Sequence, residues 1–308
     1  MKAVVAGGTG VIGRALIADL AGAGYEITVL SRNPDKHPSF MPDGVVFEPW
    51  DGSTVGAWAR SVDGADVVVN FAGENLAGEG FLPARWTNDK KRRLRQSRID
   101  SGKAIVEAIA TAQLKPKVLV QSSAIGYYGP RGDEPILESE PTGDDFLAAI
   151  VVAWEACTEA VESLGVRRVI IRTGLIQTLE SGPLARMYLP YKLYGGIYFG
   201  NGRQYWSWIH LNDEIRAIRF LMENEQARGA FNLTAPNPVT CRDYGKILGK
   251  VMGRPSYMPV PGFALKLVIG EVATIVLDGQ KVLPKKLEEL GFSFQFAELE
   301  QALRNVIR

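Results

Sequence analysis

The sequence predicts an α/β protein with a doubly wound parallel sheet, followed by a smaller C-terminal α+β domain. Short apolar runs alternate with segments of helical spacing through the first half of the chain. The runs at 67–71 and 118–122 are unbroken rather than alternating, as in strands that are covered on both faces. A glycine-rich turn also joins the first run to the first helical segment, as in a βαβ unit.

Each predicted element rests on its local pattern. Strands are predicted at the short apolar runs 2–7, 26–31, 45–49, 66–71, 117–123 and 167–173. Helices are predicted at the segments 11–23, 54–61, 89–112, 146–164 and 296–307. In the first of these, Ile12, Leu16 and Leu20 fall on one face. The apolar stretch from Gly262 to Leu277 predicts a helix packed on the body of the protein or on a partner subunit.

The composition argues against several classes of protein. A chain of 308 residues, 46% of them hydrophobic, can bury a large core without a disulfide framework. A net charge of +1 gives no general attraction to nucleic acid, and the basic run 90–98 lacks aromatic residues for base stacking. The longest apolar stretch is shorter than the ~20 residues that span a bilayer. Two cysteines and no apolar leader favour a cytoplasmic location, and no histidine–cysteine cluster suggests a metal.

The glycine turn after the first strand is the main functional signal. Gly7, Gly10 and Gly13 open a helix, where small residues let the backbone approach a pyrophosphate and free N–H groups face the anion. Their spacing differs from the usual Gly-x-Gly-x-x-Gly, but the strand before and the helix after meet the motif's structural condition. The residues predicted to hold the diphosphate of a dinucleotide are Gly7, Thr9, Gly10, Val11, Ile12 and Gly13.

The end of the second strand predicts NADP(H) as the dinucleotide. An NAD site usually has an acid here, whereas this chain has Ser31 and Arg32, and an arginine can bind a 2′-phosphate. After the third strand, Asp51 beside Trp50 either accepts the adenine amino group or caps the helix at 54–61. Further cofactor contacts are predicted at Phe71, Ala72, Gly73, Glu74, Arg85 and Ser122.

Several motifs occur in an order that resembles one superfamily. They are Gly7-x-x-Gly10-x-x-Gly13, Asn70-x-Ala72-Gly73, the stretch Ser122 to Gly129, and Trp208-Ile-His210-x-x-Asp213. This order resembles the extended short-chain dehydrogenase/reductases, which include nucleotide-sugar epimerases and dehydratases. Trp154-Glu155, Gly270-Glu271 and Gly279-Gln280 resemble an atypical branch described as "epimerase family protein" and as a family of cell-division inhibitors. The resemblance covers essentially the whole chain and implies a Rossmann fold with a family-specific C-terminal domain.

Two domains are expected from the change in composition after Arg172, where prolines and glycines interrupt the chain repeatedly. The first, over 1–180, would bind the dinucleotide, and the segment 205–235 would return to it. The second, over 181–308, would cover the substrate. An insertion at 79–84, relative to the family pattern, would lie at the rim of the site.

The resemblance implies an active serine at Ser123, but the usual catalytic pair is missing. Members that transfer hydride carry Tyr-x-x-x-Lys on the next helix, where the lysine lowers the pKa of the tyrosine. If Glu155 takes the place of the family glutamate, Leu147 and Val151 occupy these two positions. The sequence therefore departs from the superfamily at its main device for proton transfer.

Three interpretations of this departure remain open. Tyr127 or Tyr128 acts as the proton donor, unless both only line the pocket. Glu155 enters the vacated space as a ribose ligand or a base, unless it is an ordinary solvated glutamate. Alternatively, no hydride is transferred. His210 is expected to fix its loop rather than to act in catalysis.

We therefore expect an NADP(H)-dependent oxidoreductase of the atypical extended type that acts on an unidentified small molecule. The competing hypothesis is a non-catalytic NADP(H)-binding regulator or scaffold related to cell division, and the missing Tyr-x-x-x-Lys supports it. A nucleotide-sugar epimerase or dehydratase is a weaker alternative, because Ser31 and Arg32 count against NAD. No nucleic-acid or membrane partner is expected, and a homodimer is left open.

Overall fold

Seven parallel strands form one sheet in the order β7-β6-β5-β4-β1-β2-β3. The strands are β1 Lys2–Ala6, β2 Glu26–Ser31, β3 Val46–Pro49, β4 Val67–Asn70, β5 Val118–Ala124, β6 Arg167–Thr173 and β7 Gly229–Leu233. The computed structural model describes residues 1–35, 41–78, 83–256 and 258–308. The six predicted strands are all present in this sheet, and the predicted doubly wound α/β fold is confirmed. The seventh strand, β7, lies within the segment 205–235.

Ten α-helices occur in the described part of the chain. They are α1 Val11–Gly22, α2 Asn88–Thr111, α3 Phe146–Ala156, α4 Gly182–Lys192, α5 Leu211–Glu223, α6 Cys241–Met252, α7 Gly262–Ile269, α8 Thr274–Leu277, α9 Lys285–Glu289 and α10 Leu299–Val306. Four short 3₁₀ helices accompany them, at Ala57–Ser61, Ile125–Tyr128, Glu159–Leu164 and Gly270–Ala273.

Three helix predictions were wrong in extent. The predicted helix 54–61 is only a 3₁₀ turn that starts at Ala57. The predicted helix 146–164 stops at Ala156, because Thr158 leaves helical geometry before a 3₁₀ segment follows. The predicted helix 262–277 breaks at Gly270, whose φ of +69° is disfavoured for any other residue.

Helices cover both faces of the sheet. Successive side chains of β1 point to opposite faces, so Val5 packs with Leu16 of α1 and Ile218 of α5. On the other face, Val4 packs in a cluster with Ile105 of α2. Both faces are therefore covered, and this explains the continuous apolar runs in β1, in β4 and at the centre of β6.

The second half of the chain builds a separate aromatic cluster beside the sheet. Its large buried members include Tyr191, Trp206, Trp208 and Tyr244. Short two-stranded ladders join Leu175–Gln177 to Trp208–His210, Tyr205–Trp206 to Val239–Thr240, Ile197–Phe199 to Met258–Val260, and Pro135–Ile136 to Lys281–Val282. The last ladder ties the C-terminal part of the chain to the loop that follows β5.

The apolar stretch that begins at Gly262 is only partly covered. Helix α7 buries Ile269 but leaves Phe263 and Leu267 exposed. None of the helices in the described ranges is long and apolar enough to cross a membrane.

Candidate functional site

The glycine turn lies at the carboxyl end of β1 and is pressed against the end of β4. Gly7 has a φ of +75°, and a Cβ atom there would lie 2.8 Å from the carbonyl carbon of Phe71. A Cβ on Gly13 would lie 2.6 Å from the Cα of Gly8. These two glycines are required by close packing, because no side chain fits. A Cβ on Gly10 would meet only the Gly7 carbonyl, at 3.5 Å, so Gly10 forms the open surface of the turn.

The start of α1 presents uncapped N–H groups at this surface. Gly10 is the N-cap residue and has no side chain to accept their hydrogen bonds, and the first turn contains no acid. The first helical bond runs from the Arg14 N–H to the Gly10 carbonyl. The unsatisfied N–H groups and the helix dipole together favour an anion at this position.

The turn also lies where the strand order reverses. Strand β1 pairs with β2 on one side and with β4 on the other, so the carboxyl ends of β1 and β4 flank a crevice. Ligands of open α/β sheets bind at such a switch point. The glycine cradle, the uncapped helix start and this crevice fit the diphosphate of a dinucleotide.

Ser31 and Arg32 lie at the end of β2, beside this crevice. The Ser31 hydroxyl accepts a hydrogen bond from the Asn33 N–H, at 3.1 Å. The Arg32 side chain is exposed, and its guanidinium makes no hydrogen bond or ion pair with any residue that the structure describes. Arg32 thus lies where its guanidinium could contact the adenosine ribose of a dinucleotide.

Asp51 closes its own turn rather than capping a helix. Its carboxylate accepts hydrogen bonds from the N–H groups of Ser53 and Thr54, both at 2.8 Å, and from the Thr54 hydroxyl, at 2.7 Å. These bonds, those from Thr54 first, lower the pKa of Asp51 to about 2. Trp50 is buried beside the turn and donates its indole N–H to the Thr54 carbonyl. The predicted cap is wrong because the 3₁₀ helix that follows begins only after Gly56.

The segment after β4 is fastened by charged side chains. Glu74 accepts a hydrogen bond from the Lys90 ammonium, at 2.6 Å, and a longer one from Arg93. Burial alone would raise the pKa of Glu74, but these two cations lower it overall. Arg85 donates to the carbonyls of Leu267 and Val268 at the end of α7. This placement differs from the predicted cofactor contact, because the guanidinium already lies against α7.

The remaining predicted cofactor residues lie along the same edge. Phe71 and Ala72 directly follow β4, and the Ala72 N–H donates to the Asn70 side chain at 3.1 Å. Gly73 is exposed, while Ser122 is buried near the end of β5. Of the predicted insertion 79–84, residues 79–82 lie outside the described residues.

A buried ion pair joins Ser123 to the next strand. The Ser123 hydroxyl donates to Oε1 of Glu155 at 2.5 Å, and both Glu155 oxygens accept hydrogen bonds from Arg172 at 2.9 Å. Ser123 and Arg172 are register partners on β5 and β6. Glu155 is only 8% exposed, so its interpretation as a solvated helix residue is wrong. Its interpretation as a free ribose ligand is weakened, because both of its oxygens are already engaged.

Arg172 also contacts both candidate tyrosines. Its guanidinium donates to the Tyr128 hydroxyl at 2.9 Å, and its central carbon lies 3.5 Å from the ring centroid of Tyr127. The Tyr128 hydroxyl donates to the Asn232 side chain at 2.7 Å. Burial raises the pKa of Tyr128 to about 12, although Arg172 opposes this shift. Tyr128 is therefore a neutral phenol whose hydroxyl is already engaged by Arg172 and Asn232.

Tyr127 differs from Tyr128 in its burial and in the hydrogen bonding of its hydroxyl. The ring is half-buried, and its hydroxyl has no hydrogen-bond partner in the described ranges. If Glu155 takes the place of the family glutamate, the positions of the missing pair are Leu147 and Val151. Both side chains lie within 4 Å of where a Cβ on Gly126, in the same 3₁₀ helix, would lie. Neither side chain can exchange a proton.

Two polar side chains of this cluster, Arg172 and Asn232, are not among the predicted site residues. Arg172 directly follows the apolar run 169–171 near the end of β6, and a charged residue at that position was a usable signal. Asn232 lies on β7, which was not among the predicted strands. His210 behaves as expected: its ring accepts the Asn212 N–H at 3.0 Å, contacts Asn305 at 3.1 Å, and stacks on Phe296.

Comparison with known families agrees with this geometry. The model of the NAD dependent epimerase/dehydratase family matches residues 3–234, and a domain of unknown function, DUF1731, matches residues 260–306. An epimerase family protein of Staphylococcus aureus is 40% identical over 308 residues, which is 99% of this chain and 98% of the relative. A relative of the same description from Staphylococcus haemolyticus is 39% identical over 305 residues, with the same coverage.

Solved structures show the same relationship. The human epimerase family protein SDR39U1, solved with NADPH, is 30% identical, covers 99% of both chains and has a TM-score of 0.86. A UDP-glucose 4-epimerase of Thermus thermophilus, solved with NAD, has a TM-score of 0.77. At 18% identity over 100% of this chain and 98% of the other, it shows the fold alone. Because one family model spans most of the chain and full-length relatives reach 40% identity, the chain belongs to the NAD dependent epimerase/dehydratase family.

Proposed function

We propose that the protein is an NADP(H)-dependent oxidoreductase that acts on a small carbonyl or hydroxyl compound. The observation that carries the proposal is Tyr127, a phenol without a hydrogen-bond partner in the described ranges, stacked on the buried Arg172 at the dinucleotide-binding edge of the sheet. A donor held beside a fixed positive charge suits proton exchange with a substrate oxygen.

NADP(H) is favoured over NAD(H) by Arg32. When bound, the dinucleotide supplies or accepts a hydride at the nicotinamide. The chain offers a guanidinium instead of an acid at the end of β2, which favours a 2′-phosphate through charge-assisted hydrogen bonds. One similar structure was solved with NADPH, which supports the same choice.

Ser123 and Tyr127 would share the substrate oxygen. Because the Ser123 hydroxyl donates its hydrogen to Glu155, its lone pairs are left to accept a hydrogen bond from the hydroxyl of an alcohol substrate, so Ser123 would bind the substrate of the oxidative direction only. In the reductive direction, Tyr127 would give its phenolic proton to the substrate oxygen. Arg172 offsets the charge left on the phenol until solvent returns a proton.

Tyr127→Phe tests the catalytic part. We expect NADPH oxidation with a panel of aldehydes and ketones to fall by roughly 10²- to 10⁴-fold, the usual value of a positioned acid. NADPH affinity, measured by fluorescence titration, should not change, since the hydroxyl is not assigned to the cofactor. Tyr194→Phe, at an exposed tyrosine, is the matched control. Full activity in Tyr127→Phe would refute the role of the phenol.

Arg32→Glu tests the cofactor part. The variant replaces an attraction to the 2′-phosphate by a repulsion, so NADPH binding should weaken by ~1–3 kcal/mol while NADH binding holds. Calorimetric titration of both dinucleotides measures the difference. If the wild-type protein binds NADPH no more tightly than NADH, the choice of NADP(H) is wrong.

A non-catalytic NADP(H)-binding regulator is the second candidate. Leu147 and Val151 favour it, because the resemblance places the usual catalytic pair at these positions and neither apolar side chain can exchange a proton. NADPH that binds but is never oxidised across the carbonyl panel would support this candidate and exclude the first.

A further inference from the structure

An ion pair that the catalytic scheme does not use lies beside the glycine turn. Arg14 is in the first turn of α1, and its guanidinium pairs with the carboxylate of Glu180. The same guanidinium reaches the Thr9 carbonyl, in the middle of the glycine turn, at 3.4 Å. Glu180 comes from a distant part of the chain and follows Thr178, whose hydroxyl accepts the Glu180 N–H at 3.2 Å.

The position of Arg14 is electrostatically unusual. A cation in the first turn of a helix is disfavoured by the helix dipole, and α1 carries no acid there to offset it. The fold compensates with a carboxylate from outside the helix. A site that binds a doubly charged diphosphate at the same helix start would supply this compensation itself.

The surroundings leave the guanidinium room to change partners. A cavity of about 410 Å³ opens at the ion pair and is lined by Val11, Arg14, Ala15, Glu180 and Leu211. The Glu180 side chain is 58% exposed, so its release into water has a small free-energy cost. Arg14 is 26% exposed and is held near the turn by the Thr9 contact.

We propose that Arg14 is a further diphosphate-binding residue of the dinucleotide site, and that Glu180 is the counter-ion that the diphosphate displaces. This inference rests on the dinucleotide binding in the proposed function but not on its catalytic part. The guanidinium exchanges a single carboxylate for a group of greater negative charge. Glu180 therefore competes with the cofactor instead of holding it.

Arg14 and Arg32 should affect the binding of NADPH and NADH differently. The diphosphate is common to NADPH and NADH, whereas the 2′-phosphate belongs to NADPH alone. Arg14→Gln should therefore weaken both dinucleotides by a similar factor, roughly tenfold or more, as expected for a lost charged hydrogen bond. Arg32→Glu should weaken NADPH selectively.

The opposite change is expected at Glu180. Glu180→Gln removes the competing charge and should tighten both dinucleotides by roughly two- to fivefold, the range of an exposed ion pair. The gain should shrink at high salt, because exposed charges are screened. Arg219→Gln is the matched control, since Arg219 pairs at 3.4 Å with Asp19 farther along the same helix. This control should change neither affinity.

The experiment is calorimetric titration of the full-length variants with NADPH and with NADH, after thermal unfolding has shown that each variant is folded. The expected pattern is weaker binding in Arg14→Gln and tighter binding in Glu180→Gln, equal for the two ligands. Unchanged affinity in Arg14→Gln would overturn the inference. Weaker binding in Glu180→Gln would also overturn it, because the ion pair would then help to hold the dinucleotide. If the wild-type protein binds neither dinucleotide, the proposed function itself fails.

Discussion

At the scale of single residues, the buried ionisable side chains differ in how many hydrogen bonds they make. Arg172 is 5% exposed, yet its guanidinium reaches Glu155, Tyr128 and the Glu138 carbonyl. Such saturation is what makes a buried guanidinium tolerable. Glu214 is the contrasting case. Thr173 donates to one of its oxygens at 2.7 Å, while the other oxygen is buried without a partner in the described residues.

Glu214 gives a prediction about pH. Burial raises its pKa to about 8, against the opposing effect of the Thr173 hydrogen bond, whereas the unfolded chain keeps a value near 4.5. The folded state therefore binds this proton more tightly. The resulting stability is fully present below about pH 4.5 and is lost as the pH rises toward 8.

Glu214→Gln keeps the shape and removes the titration. Its free energy of unfolding relative to the wild type should rise between about pH 5 and about pH 9. Urea unfolding at the two values measures this change, with the surface variant Glu162→Gln as the control. A difference between variant and wild type that does not depend on pH would show that the carboxyl is not the source of the effect.

At the scale of elements, the three glycines of the first turn differ in how much space surrounds a Cβ atom at their position. A Cβ on Gly13 would enter the space of Gly8, and one on Gly7 would enter the end of β4. Gly10 has a φ of −73°, which alanine adopts without strain, and its outer side is open. Packing therefore requires Gly7 and Gly13 but not Gly10, which we expect to be needed for the dinucleotide instead.

Substitution by alanine should separate these tasks. Gly13→Ala should lower the free energy of unfolding by ~1–3 kcal/mol, because overpacking forces the turn apart. Gly10→Ala should leave stability nearly unchanged but weaken NADPH binding, because its methyl group occupies the surface that faces the diphosphate. Urea unfolding and fluorescence titration measure the two effects. Equal losses of stability in both variants would contradict this division.

The elements also show what the sequence could predict. The sheet was predictable because strands covered on both faces contain continuous apolar runs, which are visible in the local sequence. Helix ends were less predictable, since the break at Gly270 depends on a backbone angle. Of the cluster formed by Ser123, Glu155 and Arg172, only the first two were predicted from the sequence. Glu155 and Arg172 belong to different elements, and a pairing in space leaves no spacing rule in the sequence.

At the scale of the whole molecule, the C-terminal part is fastened to the rim of the cofactor crevice. Arg85 donates to the end of α7, and Lys91 pairs with Glu271 just beyond it, at 2.5 Å. Asn232 donates to the Leu283 carbonyl at 2.9 Å and so ties the seventh strand to the same region. The segment matched by the domain of unknown function thus contacts the rim of the crevice.

Arg85→Gln should loosen this attachment without unfolding the sheet. Because the side chain is exposed, we expect a stability loss of under ~1 kcal/mol. Amide hydrogen exchange should become faster in α7 and remain slow in β1 and β4. Lys285→Gln, which removes an exposed cation on α9, is a suitable control. Unchanged exchange in α7 would mean that other contacts hold it.

The neighbouring tyrosines of the short helix after β5 have a practical consequence. They share one backbone turn and one chemistry, yet one ring meets solvent and the other does not. Oxidative footprinting should mark Tyr127 and spare Tyr128. The two tyrosines can therefore report on the local fold. Labelling of Tyr128 in addition to Tyr127 would show that this region has opened. The measurement can be made on any variant and needs no known substrate.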